Sequence, residues 1–272
     1  MTAEEHPLPS REWVKPLRMW MGITGVVVWI LALVPPLSSW AQHYQFVQAI
    51  QFSVFAYCVP VLLVASAPWR RIGLARNDVV QLDVDGAAGG AQQLKLVDRA
   101  ALHRSASSRQ QRTVTVALIF ALLTVLWRIA PAVDFLVRHT WLAVFESLSL
   151  IAVGTLLFTD VIESPPLTPG VSRPYRISIA AGVMWAAWVT AYLSAMSRSS
   201  WYTGFHHVAG RGLSLAADQQ FSAGFLWFVS AAVFVPIIFW NLIHWLQAEE
   251  DPNEEMGKLL REERTRRFFG TN

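Results

Sequence analysis

The chain has 272 residues, of which 54% are hydrophobic, and it contains 13 tryptophans. A soluble domain would not carry several apolar runs of about 20 residues, so the composition excludes an ordinary soluble fold. The formal net charge of +3 is explained by membrane topology and anionic lipid, and it requires no nucleic-acid partner.

Six apolar runs follow one another along the chain, and each is long enough to cross the bilayer as a helix. They are Met19–Leu37, Phe46–Ala67, Thr113–Pro131, Trp141–Ile162, Ile177–Met196 and Phe221–Leu246. Backbone groups find no water partners in lipid, so each run is predicted to be helical. The sequence therefore predicts an all-α integral membrane protein, a bundle of about six transmembrane helices.

The basic residues predict the orientation of this bundle. Six spans place both termini, the loop 69–112 and the loop after span four on one side, and 18 of the 22 lysines and arginines lie there. This bias predicts cytoplasmic N- and C-termini. We expect a cytoplasmic segment 1–18, a transmembrane domain 19–247 and a charged cytoplasmic tail 248–272. The first run is too long for a signal-peptide core, so a retained helix is expected.

Local patterns refine the spans and the long loop. Pro60 removes a backbone donor inside span two and is predicted to kink it. Within the loop, Val79–Asp85 alternates apolar and polar residues, which predicts a short strand. Ser105–Arg112 is polar and is predicted to be flexible.

Span two and span four carry polar residues inside their apolar runs. Gln48 and Gln51 are three positions apart, so they share one helix face. Glu146 lies about a turn and a half inside the outer boundary of span four. An intramembrane carboxylate is a candidate functional group. The alternative is a structural pair with Arg128 or Arg138, which lie on the same side.

A carboxylate and two amides, Asp218, Gln219 and Gln220, open the last apolar run after the polar and aromatic loop Trp201–His207. Such groups at the mouth of a membrane helix are costly unless they bind or hydrogen-bond something. We expect them to meet Glu146 near the outer boundary, since spans four and six place them at similar depth. With Gln48 and Gln51 they form a predicted polar cluster.

Four of the seven histidines lie on the outer side of the predicted bundle: His43, His139, His206 and His207. Imidazole is a common copper or zinc ligand, but the spacing matches no zinc motif. A metal site using some of these histidines and ordinary surface histidines are both open interpretations. The single cysteine, Cys58, is either a small buried apolar residue or a soft copper(I) ligand.

Three blocks of the sequence carry a family resemblance. They are the start of span two running into Pro60–Pro68, the block from Arg138 through Glu146 to Phe158, and the block from Asp218-Gln219-Gln220 to Trp227. Over about residues 40–247 the chain resembles the CtaG family of bacterial cytochrome c oxidase assembly factors. The resemblance implies a multi-pass protein of the bacterial cytoplasmic membrane, often with seven spans, which works with oxidase subunits and is proposed to handle copper.

The sequence departs from the family pattern at two positions. The family typically has two histidines four residues apart in span two, and Gln51 stands at the second of these positions. Ser147 follows the span-four glutamate where the family usually has histidine. Amides and hydroxyls are poor copper(I) ligands, so a tight intramembrane copper site is not expected.

Several functions therefore stay open. The chain could bind copper through the loop histidines, support oxidase assembly without metal, or stay in a respiratory complex as an accessory subunit. A small-solute or proton-coupled transporter would need a polar pathway and often shows repeated halves, and neither is evident. No catalytic constellation stands out, so no enzymatic activity is predicted.

Overall fold

The computed structural model describes residues 14–69, 94–164, 169–197, 199–205 and 212–249. These parts of the chain are helical and contain no β-strand. The helices are α1 (Val14–Leu33), α2 (Leu37–Ala41), α3 (Gln45–Ser53), a π-helix (Val54–Cys58), α4 (Val59–Ser66), α5 (Leu94–Leu126), α6 (Ala130–Arg138), α7 (Leu142–Val161), α8 (Arg173–Met196) and α9 (Leu215–Glu249).

Within these described parts, five helical segments are long and apolar enough to cross a membrane, and a sixth arises if the bent pair of α5 and α6 counts as one span. This agrees with the predicted bundle of about six transmembrane helices. The cytoplasmic placement of the termini stays a prediction. The predicted strand Val79–Asp85, the residues of the tail beyond Glu249, and His206 and His207 lie outside the described residues.

Span two is continuous, but its hydrogen-bond pattern changes in the middle. The π-helical turn Val54–Cys58 separates α3 from α4, and Pro60 occupies the first turn of α4. Proline has no N–H to donate to the preceding turn, and a π-helical turn accommodates this inside an otherwise regular helix. The π-helical turn thus lies directly before Pro60, where the sequence predicts a kink, and Gln45–Ser66 continues as one span.

Span three differs from the straight helix expected over Thr113–Pro131. Helix α5 ends at Leu126, and α6 leaves it at an angle of 65°. Pro131 lies in the first turn of α6, and its ring would clash with a continuous helix, so the break precedes it. The stretch Ser105–Arg112, which the sequence predicts to be flexible, lies inside α5, and its flexibility stays a prediction.

Aromatic rings fill the centre of the bundle. The rings of Tyr57, Phe120, Phe158 and Phe234 are buried and contact one another edge-on or stacked, with centroids 5.6 to 6.4 Å apart. Gly154 permits this packing, since a Cβ there would lie 2.9 Å from Pro60 Cγ. Large apolar side chains such as Leu122 and Phe228 are exposed on the outside of the bundle, as expected of a surface that faces lipid.

Candidate functional site

Asp218 joins the first turn of α9 to the beginning of α3. Its carboxylate is fully buried and accepts hydrogen bonds from the backbone N–H groups of Gln45 and Phe46, at 2.8 and 3.0 Å. The first N–H groups of a helix have no intrahelical partner, and the helix dipole favours an anion there. Asp218 therefore caps α3 from a different helix. We call this end of the bundle, where α3 and α9 begin and α8 ends, the Asp218 end.

Gln219 connects the Asp218 end to the last turn of α8. Its amide nitrogen donates to the carbonyl of Ser194 at 2.6 Å, and its amide oxygen accepts from the backbone N–H of Trp201 at 2.8 Å. The side chain is buried. Gln220, by contrast, is exposed, so the structure does not bring it into the same set of contacts.

Arg128 lies at the break between α5 and α6 and is buried. It donates hydrogen bonds to the amide oxygen of Gln48 and to the hydroxyl of Ser222. Its guanidinium also lies over the rings of Phe52 and Tyr202, 5.7 and 5.6 Å from their centroids. Cation–π contacts of this kind stabilise a desolvated cation. Arg128 thus links α3, α9 and the loop that follows α8.

Asp134 of α6 forms hydrogen bonds with the loop that follows α8. The carboxylate accepts hydrogen bonds from the backbone N–H groups of Thr203 and Gly204 and from the Thr203 hydroxyl. The Tyr202 hydroxyl donates to the carbonyl of Arg128 at 3.1 Å. Helix α6 and residues 201–205 therefore pack as one layer over the Asp218 end.

Glu146 lies in the second turn of α7 and is fully buried. Both carboxylate oxygens lack a hydrogen-bond partner among the described residues. The carboxylate interacts electrostatically with Arg128, but no ion pair within 4.0 Å joins them. The structure gives Glu146 no hydrogen bond to Asp218 or Gln219. Whether Glu146 forms the structural pair with Arg128 or belongs to the predicted polar cluster stays open, since the structure gives only this electrostatic interaction.

Reasoning from the sequence missed the central role of Arg128, which it treated only as a partner for Glu146. One signal could have identified it: an arginine that follows an apolar run of about a membrane span and precedes a proline by three positions marks a buried cation at a helix break. The Asp134 contacts gave no such signal, because they depend on which loop packs on α6.

The sequence matches the family described as cytochrome c oxidase caa3 assembly factor over residues 3–248, which is most of the chain. The chain belongs to this family. No curated protein and no solved structure gives a significant match. Membership of the caa3 assembly factor family implies a membrane setting, interaction with oxidase components and a role in oxidase assembly, and it suggests a non-catalytic function.

In this member of the caa3 assembly factor family, two side chains, Gln51 and Ser147, form hydrogen bonds with helix α1. The amide nitrogen of Gln51 donates to the carbonyl of Ala32 at 2.7 Å, and the indole N–H of Trp29 donates to the Ser147 hydroxyl at 3.1 Å. Gln51 and Ser147 are the two positions where the CtaG resemblance would place histidine. Here both are buried and engaged with α1, and neither supplies an imidazole, so this pair does not fit copper(I).

The two outer histidines that the structure describes, His43 and His139, are exposed. His43 hydrogen-bonds through Nδ1 to the carbonyl of Ser39 at 2.7 Å, and the exposed His139 packs edge-on against Phe135. Among the described residues, no group of three or more His, Cys, Asp or Glu side chains could hold a metal ion. His206 and His207 are outside the part of the chain that the structure describes.

Proposed function

We propose that this protein is a non-catalytic helical partner of cytochrome c oxidase subunits during assembly of the oxidase in the bacterial cytoplasmic membrane. The observation that carries the proposal is the family match over residues 3–248, which includes all the membrane-length apolar helices found among the described residues. Oxidase subunits are themselves membrane proteins, so a partner that contacts them within the bilayer suits this architecture.

The buried network supports a role in which the shape of the Asp218 end matters. Asp218, Gln219 and Arg128 fix the ends of α3, α8 and α9 relative to the loop 199–205 through buried hydrogen bonds. Buried polar groups that are satisfied in this way define one arrangement of the helices. A rigid end of the bundle is a suitable surface for a partner.

The side chains at positions 51 and 147 favour assembly without a tight intramembrane copper site. Gln51 donates to α1, and Ser147 accepts a hydrogen bond from α1 and donates to the carbonyl of Val144 in its own helix. Amides and hydroxyls also bind copper(I) poorly. We propose that any copper handled by this protein is held weakly at the outer face, through His43, His139, His206 or His207.

Deletion and complementation test this proposal. We expect loss of the gene to lower the amount of assembled cytochrome c oxidase, and the wild-type chain to restore it. Asp218→Ala should restore much less than Gln220→Ala, a matched change one helical turn or less away on an exposed side chain. The wild-type chain should also co-purify with oxidase subunits. Unchanged oxidase levels after deletion, with no subunit co-purifying, would reject the proposed function.

A further inference from the structure

A small cavity lies inside the bundle beside Arg128, between α3, α5, α8 and α9. Its volume is about 20 Å³, and its lining includes Phe52, Tyr57, Thr124, Arg128, Thr190 and Leu226. One water molecule needs about 10–15 Å³ of such space and two to four polar partners. The cavity meets the first condition for a single water and is too small for an organic ligand.

The lining also offers the polar partners that a water molecule needs. The hydroxyl hydrogens of Thr124 and Thr190 are used within their own helices, on the carbonyls of Ala121 and Ala186 at 2.8 and 2.9 Å. Their oxygens therefore remain as acceptors. The guanidinium of Arg128 has five N–H donors. It donates to the side chains of Gln48 and Ser222. Donors and acceptors thus border the same small space.

Tyr57 supplies a further hydroxyl at the cavity. The residue is only 2% exposed, and its side chain contacts the rings of Phe52, Phe120 and Phe234, while its hydroxyl forms no hydrogen bond with the described residues. Tyr202 provides a comparison, because it is equally buried at 1% exposure but donates from its hydroxyl to the carbonyl of Arg128. The Tyr57 hydroxyl is therefore available to donate to, or accept from, a molecule in the cavity.

Other unpartnered polar atoms gather around the same arginine. Gln48 Nε2 and both carboxylate oxygens of Glu146 are buried without a hydrogen bond in the described structure. Gln48 binds Arg128, and Glu146 interacts with it electrostatically. Neither Gln48 nor Glu146 lines the cavity, so these atoms show only that the surroundings of Arg128 are polar.

We propose that the cavity is a binding site for one ordered water molecule, which accepts hydrogen bonds from Tyr57 or Arg128 and donates to the hydroxyl oxygens of Thr124 or Thr190. Water fits because the lining offers both donors and acceptors. A cation is disfavoured by the adjacent guanidinium. An anion would find donors only on Arg128 and Tyr57, and it would also meet the hydroxyl oxygens of Thr124 and Thr190, which act as acceptors. The site extends the buried polar network from Arg128 toward the π-helical turn.

Radiolytic labelling of the full-length protein in lipid nanodiscs tests the site. X-rays split water where it is bound, so the hydroxyl radical forms beside the side chain that contacts it, even in the protein interior. In water enriched in ¹⁸O, we expect Tyr57 to be oxidised several-fold faster than Tyr202 and to incorporate the isotope. Equal rates at these two buried tyrosines in the wild-type protein would overturn the proposal, without any variant being needed.

A substitution in the lining provides a second arm. Thr190→Ile removes an acceptor and fills the cavity, and it should lower the oxidation rate of Tyr57 to that of Tyr202. Thr115→Ile is the matched control, because Thr115 makes the same kind of intrahelical bond on an exposed face of α5. Thermal unfolding verifies that Thr190→Ile remains folded. Fast oxidation of Tyr57 that persists in folded Thr190→Ile protein would show that the radical does not come from water in this cavity, and would also reject the site.

Discussion

Asp218, in the first turn of α9, accepts a hydrogen bond from the backbone N–H of Gln45 at 2.8 Å, across a separation of 173 residues in the chain. The backbone N–H of Phe46 donates a second hydrogen bond, to the other carboxylate oxygen of Asp218. The pairing explains why a carboxylate is tolerated at the mouth of an apolar helix: it completes the first turn of another helix.

Removal of this cap should destabilise the protein. For Asp218→Ala we expect a loss of about 2 kcal/mol, since two buried N–H groups lose a charged acceptor at a helix N-terminus. Thermal unfolding in detergent measures the change. Gln220→Ala, on the neighbouring exposed side chain, should leave the midpoint nearly unchanged. A midpoint for Asp218→Ala equal to that of the wild type would contradict the role assigned to the cap.

Arg128 should be far more sensitive than a nearby surface arginine. Arg128→Met leaves the Gln48 amide oxygen and the Ser222 hydroxyl without their donor and removes two ring contacts, so we expect a cost of about 3 kcal/mol. The exposed Arg138 supplies the control, because Arg138→Met removes the same charge outside the network. Similar unfolding midpoints for the two variants would argue against a central role for Arg128.

The bond between Trp29 and Ser147 should contribute to the attachment of α1. Trp29→Phe and Ser147→Ala should each cost about 1 kcal/mol, and together they should cost less than the sum of the two, because each removes the same hydrogen bond. Trp20→Phe, on the exposed side of α1, is the control. Additive losses in this double-mutant cycle would mean that the bond makes no net contribution.

Copper binding, if it occurs, should depend on the outer histidines. We expect purified wild-type protein to bind copper weakly or not at all, and simultaneous replacement of His43, His139, His206 and His207 by alanine to abolish what is bound. Metal analysis and competition with a copper(I) chelator provide the measurement. Stoichiometric, tight copper in the quadruple variant would place the site elsewhere and would point to Cys58.

The orientation in the membrane is open to direct labelling. In a Cys58→Ser background, single cysteines at Gly90 and Thr265 should react with a membrane-impermeant maleimide only from the cytoplasmic side. A cysteine at Gly212 should react only from the opposite side, and the side chain has room there, since a Cβ would meet no atom within 4 Å. Labelling of Gly90→Cys or Thr265→Cys only from the opposite face would reverse the proposed topology.

The sequence by itself determined that this protein is helical with about five to six apolar segments long enough to span a membrane. Apolar runs such as Phe46–Ala67 and Trp141–Ile162 are long enough to cross a bilayer, and in lipid a single chain segment satisfies its backbone only as a helix. The same local logic identified Asp218, Gln219 and Glu146 as polar groups in need of partners. It also carried the family resemblance, which the match over residues 3–248 bears out.

Only the tertiary structure decided which partners those groups found. Asp218 binds Gln45, Gln219 binds Ser194 and Trp201, and Gln51 binds the carbonyl of Ala32, and no local pattern specifies these pairs. Burial separated Gln219 from the exposed Gln220, because neighbouring positions on a helix point about 100° apart and only one of them faces the bundle. Partner choice follows from the packing of whole helices, whereas the need for a partner follows from the residue and its depth in the membrane.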